Sequence, residues 1–229
     1  MKKRGLTEHT RFIVVSVLCL LILSIPPVFS LDLNLTYDEN GNLITGDGKF
    51  REYNEFNQLV KIRNGTDSSG DILEEYLYHP TEDRILAKKV YNMSVGVFPE
   101  EVDIYVNDNF VRNITNLAGY SIYNDTYYVK DENGLVGEVS PDYGTKLFYH
   151  NDHLGSTSII TNDSGDLVEE TSYEPFGAIL ETYYDPLGGT FKGGEASRYY
   201  YEGKEFSSRT EEYDFHFRKY NPELMVFTQ

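Results

Sequence analysis

From residue 31 onward, apolar and polar positions alternate with the period of two that is typical of β-strands. Clear cases are residues 102–106 (VDIYV) and 213–217 (YDFHF), where the apolar side chains would share one face. No stretch in this part sustains the 3.6-residue period of an amphipathic helix. The 20 tyrosines and 13 phenylalanines also favour strands, because aromatic side chains suit a half-buried pleated surface. The pattern predicts an all-β fold.

Four similar turn segments separate the predicted strands. Each has a polar lead, a glycine and then apolar residues, and the glycines lie at positions 41, 70, 134 and 165. Glycine accepts a positive φ and Asn or Asp tolerates it, so each segment is expected to close a hairpin. The spacings of 29, 64 and 31 residues indicate a repeat array, in which each unit buries its apolar face against its neighbours.

The first 30 residues differ from the rest. A basic stretch to Arg11 precedes fourteen uncharged, mostly apolar residues, 12–25, and then Pro26 and Pro27. This order is typical of a secretory signal peptide, for which we predict cleavage after Ser30, with Ser24 as the alternative position. The apolar run is shorter than the roughly 20 residues of a spanning helix, and an uncleaved membrane anchor is the alternative. Either way, we expect an N-terminal hydrophobic helix.

Export would change both cysteine content and charge. Cys19 is the single cysteine and lies in the apolar run, so the remaining chain would contain no disulfide. The whole chain has a net charge of −17, and loss of residues 1–30 would leave 16 basic and 36 acidic residues, a net charge of −20. Such a surface repels nucleic acid and anionic lipid. We therefore predict a secreted or extracellular protein whose partners are proteins or carbohydrate at the cell surface.

Six Asn-x-Ser/Thr sequons follow the predicted signal. In a secreted protein each is a candidate for N-glycosylation and would then lie on the surface. Their asparagines are Asn34, Asn64, Asn92, Asn113, Asn124 and Asn162.

Several ordered motifs resemble those of the YD-repeat, or Rhs, family. Residues 37–43 (YDENGNL) and 51–60 (REYNEFNQLV) look like a degraded YD repeat. Five later segments look like the Rhs-associated core in the expected order: 149–156, 162–168, 173–177, 200–206 and 217–224. The positions that carry this likeness are Tyr149, His150, Asp152, His153, Leu154, Gly155, Ser156, Tyr173, Pro175, Phe176, Gly177, Gly203, Glu205, Arg218, Tyr220 and Pro222. The resemblance covers residues 35–229.

The resemblance implies a fold and a domain order. YD-repeat proteins wind β-hairpins into a curved or spiralling antiparallel sheet that can form a hollow shell, here a partial one. The implied organisation is a signal peptide or anchor at 1–30, degenerate YD repeats at 31–148 and an Rhs-associated core segment at 149–229. Relatives include bacterial polymorphic toxins, shell subunits of insecticidal toxin complexes, and the teneurin adhesion proteins.

Catalytic chemistry is not predicted. Toxin-bearing Rhs proteins end their core in an aspartyl self-cleavage motif, whereas residues 185–188 (DPLG) precede the expected position and have no second copy. They are interpreted as a turn. His150, Asp152 and His153 lack an evident third metal ligand, and Ser156 lacks the surroundings of a nucleophile elbow. Adjacent acidic pairs are interpreted as solvated charges at 74–75, 100–101, 169–170 and 211–212. No metal and no cofactor are expected.

We therefore predict a non-catalytic scaffold, adhesion or carbohydrate- or protein-binding module. The alternative is a fragment or assembly partner of a larger Rhs shell that encloses a toxin. Open strand edges would then pair with another copy or another Rhs-type chain.

Overall fold

The structure, a computed structural model, describes residues 33–229 apart from 83, 93–97, 118–119, 133, 185–196 and 217. Contacts group residues 34–229 into one unit. The predicted signal segment with its hydrophobic helix and the DPLG segment at 185–188 lie outside the described residues. Within the described part, no helix has the length and apolar character needed to cross a bilayer.

Twelve consecutive strands form one antiparallel sheet. A short hairpin of β1 (Thr36–Tyr37) and β2 (Leu43–Thr45) comes first, and within the large sheet that follows, consecutive strands pair with each other. The sheet contains β3 (Lys49–Tyr53), β4 (Leu59–Asn64), β5 (Ile72–Tyr78), β6 (Ile85–Val90), β7 (Glu101–Asn107), β8 (Phe110–Leu117), β9 (Tyr120–Asp131), β10 (Gly134–Ser140), β11 (Thr145–Asn151), β12 (Thr157–Asn162), β13 (Leu167–Tyr173) and β14 (Ile179–Tyr184). Short turns join antiparallel neighbours, which is why the order is up and down. The predicted all-β antiparallel fold is confirmed.

The four predicted turn glycines all lie at hairpins. Gly41 separates β1 from β2, Gly70 separates β4 from β5, Gly134 begins β10, and Gly165 separates β12 from β13. Gly41, Gly134 and Gly165 have φ values of +87°, +119° and +84°, where side chains with a Cβ are strained. The glycines of these turns therefore mark where one strand ends and the next begins.

A second, four-stranded sheet follows near the end of the chain. It contains β15 (Glu205–Ser207), β16 (Glu212–Asp214), β17 (Lys219–Asn221) and β18 (Val226–Phe227). The alternating segment 213–217 is not one strand, because Phe215 N–H donates to the carbonyl of Arg218 at 2.9 Å and closes a turn. Phe215 instead packs edge-on against Tyr220 and Phe227. Alternation in a short segment did not distinguish a strand from a tight hairpin.

The C-terminal segment, residues 197–229, contacts both ends of the twelve-stranded sheet. Glu212 pairs with Arg51 in β3, while the hydroxyl of the adjacent Tyr213 donates to the carbonyl of Gly177, between β13 and β14, at 2.8 Å. In a flat sheet, strands spaced about 4.8 Å apart would put the two ends roughly 50 Å from each other. Two adjacent side chains cannot span that distance, so the sheet curls around the segment.

We call the sheet face that contacts the C-terminal segment the inner face. Its apolar clusters include Leu59, Ile62 and Tyr76 towards β3, and Leu147, Tyr149, Ile160 and Val168 towards β14. A third cluster joins Tyr200, Tyr213 and Tyr220 of the C-terminal segment. The predicted boundary between repeats and core segment, at 148–149, falls within β11, so the sheet runs through it.

Candidate functional site

Buried ion pairs attach the C-terminal segment to the first strands of the sheet. Arg51, fully buried in β3, donates to Asp47 at 2.6 and 3.0 Å and also contacts Glu212 of β16. Burial opposes the charge of Arg51, but the carboxylates of Glu212 and Asp47 raise its pKa above the usual value. The guanidinium therefore stays charged and links β3 to the second sheet.

A second buried cluster joins β6 and β7 to the same segment. Asp103 of β7 lies 2.8 Å from Arg198 and 3.6 Å from Lys88, and both cations also contact Glu205. Burial would raise the pKa of Asp103, but Arg198 and Lys88 lower it to about 2. Two positive and two negative side chains thus compensate one another, as buried charges require.

Three of the four acidic pairs contain a buried carboxylate, so their interpretation as solvated charges was wrong for these residues. Glu74, Glu169 and Glu212 are buried, with relative exposures of 0, 1 and 1%. Glu74 accepts from the hydroxyls of Ser207 and Tyr76, and Glu169 accepts from Thr171 at 3.0 Å. Adjacent residues in a strand point to opposite faces, and the C-terminal segment covers one of those faces. The sequence pattern does not show that cover.

Glu138 of β10 differs from the carboxylates of the buried ion pairs. In the described part of the chain, no Lys or Arg side chain forms an ion pair with it. Its carboxylate accepts from the Tyr149 hydroxyl at 2.7 Å. Burial raises the pKa of Glu138 to about 7, although Tyr149 and the charge of Arg198 act to lower it. The inner face therefore contains a carboxyl group that changes charge near neutral pH.

The motif at 149–156 forms a tight turn after β11. Asp152 Oδ1 accepts from the backbone N–H groups of Leu154 at 2.8 Å and Ser156 at 2.9 Å, and Gly155 has a φ of +86°. The buried Ser156 hydroxyl in turn accepts from the N–H of Glu202 at 3.1 Å. These residues hold the turn against the C-terminal segment.

The two histidines of this motif are not gathered into a metal site. His150 lies on the exposed face, with Nε2 at 3.1 Å from the hydroxyl of Thr161, and His153 is exposed in the turn. Among the residues that the structure describes, no three His, Cys, Asp or Glu side chains come together as metal ligands.

Three tyrosine hydroxyls of the C-terminal segment fix the hairpin between β13 and β14. They donate to consecutive backbone carbonyls: Tyr201 to Pro175 at 3.5 Å, Tyr220 to Phe176 at 3.0 Å, and Tyr213 to Gly177 at 2.8 Å. Gly177 has a φ of +89°, and a Cβ there would lie 2.5 Å from the ring of Tyr201. The motif positions at 175–177 therefore form a preorganised hairpin end.

The remaining motif positions also have structural contacts. Tyr173 donates to the carbonyl of Thr157 at 2.5 Å, and Gly203 has a φ of +62°. Arg218 stacks over the ring of Phe227 at 3.7 Å from its centroid, and Pro222 is buried.

The two outer strands of the large sheet differ in how they are covered. At one end, the β1–β2 hairpin lies beside β3, since Tyr53 donates to the carbonyl of Leu43 at 3.2 Å and Asn42 donates to Asn57 at 2.6 Å. Among the described residues β3 and β14 each have a strand partner on one side only, and no hairpin like β1–β2 accompanies β14. Leu180 and Tyr183 of β14 are 64% and 53% exposed. We call this side of β14 the open edge.

A groove of about 360 Å³ adjoins the start of the open edge. It lies between the β13–β14 hairpin and the β17–β18 turn. Exposed apolar side chains of Phe176, Leu180 and Met225 line it, together with the acidic Glu174 and Glu223. Neither the open edge nor the groove was evident from the sequence, because both depend on which strands find neighbours.

The six sequons lie in different environments. Asn34 and Asn64 are exposed, whereas Asn113 donates to the buried carboxylate of Asp103 at 2.8 Å. Asn162 accepts from two backbone N–H groups of its own turn, and Asn92 and Asn124 are half-buried. Glycosylation of any of them stays a prediction.

No protein-family model and no curated protein sequence matches this chain. Solved structures do match. A crystal structure of TcdB2–TccC3 aligns with a TM-score of 0.70 at 16% identity, covering 84% of this chain and 10% of that chain. A crystal structure of TcdB2–TccC3–Cdc42 aligns with a TM-score of 0.61 at 16% identity, covering 84% and 9%. A Photorhabdus luminescens Tc holotoxin pore aligns with a TM-score of 0.55 at 14% identity, also covering 84% and 9%.

These matches concern the fold. TcdB2–TccC3 is an RHS/YD-repeat shell protein of Tc toxins, so the resemblance to YD-repeat proteins is confirmed at the level of the fold. The chain spans about a tenth of the length of the solved chains it matches.

Proposed function

We propose that this protein is a non-catalytic structural segment of an Rhs-type shell that joins a larger assembly through the open edge of β14. The main support is the curled twelve-stranded sheet, which has the Tc shell fold. Among the described residues, its last strand, β14, has a strand partner on only one side. An exposed strand edge presents unpaired N–H and C=O groups, which favour pairing with another strand.

The buried charges support a structural role. Lys88, Asp103, Arg198 and Glu205 neutralise one another, and Arg51 is bound by two carboxylates. Their effect is to attach the C-terminal segment to the inner face. The names of the matched structures describe multi-chain Tc assemblies. This supports the proposal that the open edge binds another protein.

The location we propose is outside the cytoplasm. It rests on the signal-like order of charge and hydrophobicity in residues 1–30. Intact-mass measurement on protein from its native source is expected to show loss of about 30 residues, and retention of all of them in a membrane fraction would instead indicate an anchor.

The assembly role is tested by blocking the open edge with proline. Consecutive N–H groups of an antiparallel strand point to opposite sides, so one of Thr182→Pro and Tyr183→Pro removes an N–H that faces away from β13. That variant is expected to remain folded but to sediment as a smaller particle than the wild type, when each is isolated from the native source.

Thr182→Val is the matched control, since it keeps the backbone N–H and is expected to leave the particle unchanged. Hydrogen exchange supplies a second measurement, because β14 amides in the assembled particle should be protected relative to free protein. The proposal is wrong if the native particle is a monomer, or if both proline variants fold and assemble as the wild type does.

A second candidate function is adhesion. The face opposite the inner face presents Tyr123 and Tyr127 of β9, which lie on the same side of the strand and are 59 and 46% exposed. Exposed aromatic rings can stack on sugars and fill protein pockets. A glycan-binding screen with wild type and Tyr123→Ala/Tyr127→Ala would support adhesion only if binding is found and is lost in the double variant.

A further inference from the structure

The open edge lies in a part of the sheet where the charged side chains are all acidic. Between His153 and Lys192 the chain has no basic residue, and strands β12, β13 and β14 lie in this interval. Five of its acidic side chains are exposed: Asp163, Asp166, Glu170, Glu174 and Glu181. A strand that approaches β14 therefore meets negative charge with no compensating cation on the neighbouring strands.

The same region also exposes apolar surface. Leu180 and Tyr183 lie on β14 itself, and the adjoining groove adds Phe176 and Met225, which are 52 and 56% exposed. Tyrosine hydroxyls hold the backbone of the hairpin that carries this groove. Strand addition uses an exposed sheet edge for main-chain hydrogen bonds and adjoining pockets for alternate side chains, and here the edge and the apolar groove lie side by side.

A second copy of this chain does not match these features. Antiparallel pairing of β14 with β14 centred on Thr182 would put Glu181 of each copy opposite Tyr183 of the other and would leave the two Glu181 carboxylates as diagonal neighbours on one face, where they repel each other. Pairing of β14 with β3 would require displacement of the β1–β2 hairpin, which is held to Tyr53 and Asn57. The net charge of −17 adds a general repulsion between copies.

We infer that the open edge and its groove receive an extended strand from a different protein, in which apolar and basic side chains alternate. This inference rests on the proposed assembly function and specifies its partner. Alternate side chains of an added strand point to opposite faces, so apolar residues would cover Leu180 and the groove while basic residues face Glu174, Glu181 and Glu170. Backbone hydrogen bonds to β14 would supply the pairing itself.

Two labelled peptides test this inference. One alternates valine and lysine over eight residues, and the other alternates valine and glutamate. Each is titrated with the full mature protein, and anisotropy is measured at low and high salt. The lysine peptide is expected to bind and the glutamate peptide not to bind, with affinity falling at high salt because the charges are exposed.

The variant Glu174→Lys/Glu181→Lys is expected to bind the lysine peptide with about tenfold lower affinity, since each exposed charge pair contributes modestly to the binding free energy. The control Glu39→Lys/Glu132→Lys makes the same change in net charge at two exposed turns and is expected to bind as the wild type does. Circular dichroism verifies that both variants are folded.

Three results would overturn the inference. If both double variants bind the lysine peptide with equally reduced affinity, net charge alone attracts the peptide. If the wild type binds the lysine and glutamate peptides equally well, the site has no preference for basic side chains. Self-association of purified protein that is lost in the edge-blocking proline variant would make a second copy the occupant. None of these results bears on whether the native particle needs an open edge, so the assembly proposal is judged separately.

Discussion

At the scale of single residues, the inner face shows how buried charges are made tolerable. An ion taken from water needs partners, and removal of one partner leaves an uncompensated buried charge. Lys88, Asp103, Arg198 and Glu205 satisfy one another, whereas Arg112 and Asp125 form an exposed pair at 2.6 Å. The four-residue cluster is largely buried and the Arg112–Asp125 pair is exposed, so they should respond differently to mutation.

Lys88→Ala is expected to lower the free energy of unfolding by about 3–5 kcal/mol, because Asp103 and Glu205 would then share Arg198 alone. Arg112→Ala is the matched control and is expected to change little, since exposed pairs are screened by water. Denaturant unfolding followed by fluorescence of the tyrosines measures both. Equal effects of the two substitutions would contradict this account of the inner face.

Glu138 should make stability depend on pH. Its folded pKa of about 7 lies above the ordinary value of 4.5 because burial disfavours the charged form. Between those two values the unfolded chain loses the proton while the folded chain keeps it, so stability falls as pH rises through this window and is then constant. The loss above pH 7 is about 3 kcal/mol.

Glu138→Gln keeps an acceptor for Tyr149 without the charge. Relative to the wild type, it is expected to gain stability progressively from pH 4.5 to 7. Unfolding curves at pH 5 and pH 8 test the sign, and a gain that is larger at pH 5 than at pH 8 would be incompatible with a buried carboxyl of raised pKa.

At the scale of elements, turn glycines have two separate roles. Gly165 and Gly177 have similar positive φ values of +84° and +89°, but a Cβ at position 165 meets open space, whereas one at 177 meets the ring of Tyr201. The first position requires only backbone freedom, and the second also requires close approach of the C-terminal segment.

Gly177→Ala is expected to destabilise the protein clearly more than Gly165→Ala. Both substitutions introduce the strain of a positive φ, about 1 kcal/mol, and only Gly177→Ala adds a steric clash, worth about 1–3 kcal/mol. Thermal unfolding of both variants gives the comparison. Equal losses would show that the packing of Tyr201 on this hairpin contributes nothing.

At the scale of the whole molecule, the C-terminal segment acts as the core of a sheet that curls around it. It contacts β3 through Glu212, β5 through Ser207, β7 through Arg198 and the β13–β14 hairpin through Tyr213. In the first three of these contacts, the two residues lie 95 or more positions apart in the chain. Stability of the sheet should therefore depend on a segment that forms none of its twelve strands.

A chain of residues 34–184 is expected to lose cooperative unfolding and to bind a hydrophobic dye, because Glu74, Lys88 and Asp103 would lose their partners in the C-terminal segment and the inner face would be uncovered. Residues 34–229 are the control and should unfold in one transition. A cooperative, dye-free 34–184 chain would show that the sheet is self-sufficient.

The local features of this protein follow from its residue pattern. Alternation predicted strands, and Gly41, Gly70, Gly134 and Gly165 placed hairpins, because backbone sterics act within a few residues. The motifs at 149–224 indicated the family fold through their residues and their order along the chain. The geometry of a strand alone also requires that adjacent residues such as Glu74 and Glu75 point to opposite faces.

Only the tertiary structure decided which face is buried and which edge is open. The burial of Glu74, Glu169 and Glu212 depends on the C-terminal segment folding back over the sheet, and the chain turns after Asp214, where Phe215 packs on Tyr220 and Phe227. The cover beside β3 and the open edge at β14 likewise depend on partners distant in the chain. Such contacts follow from the packing of the whole sheet, and period and turn chemistry carry no information about them.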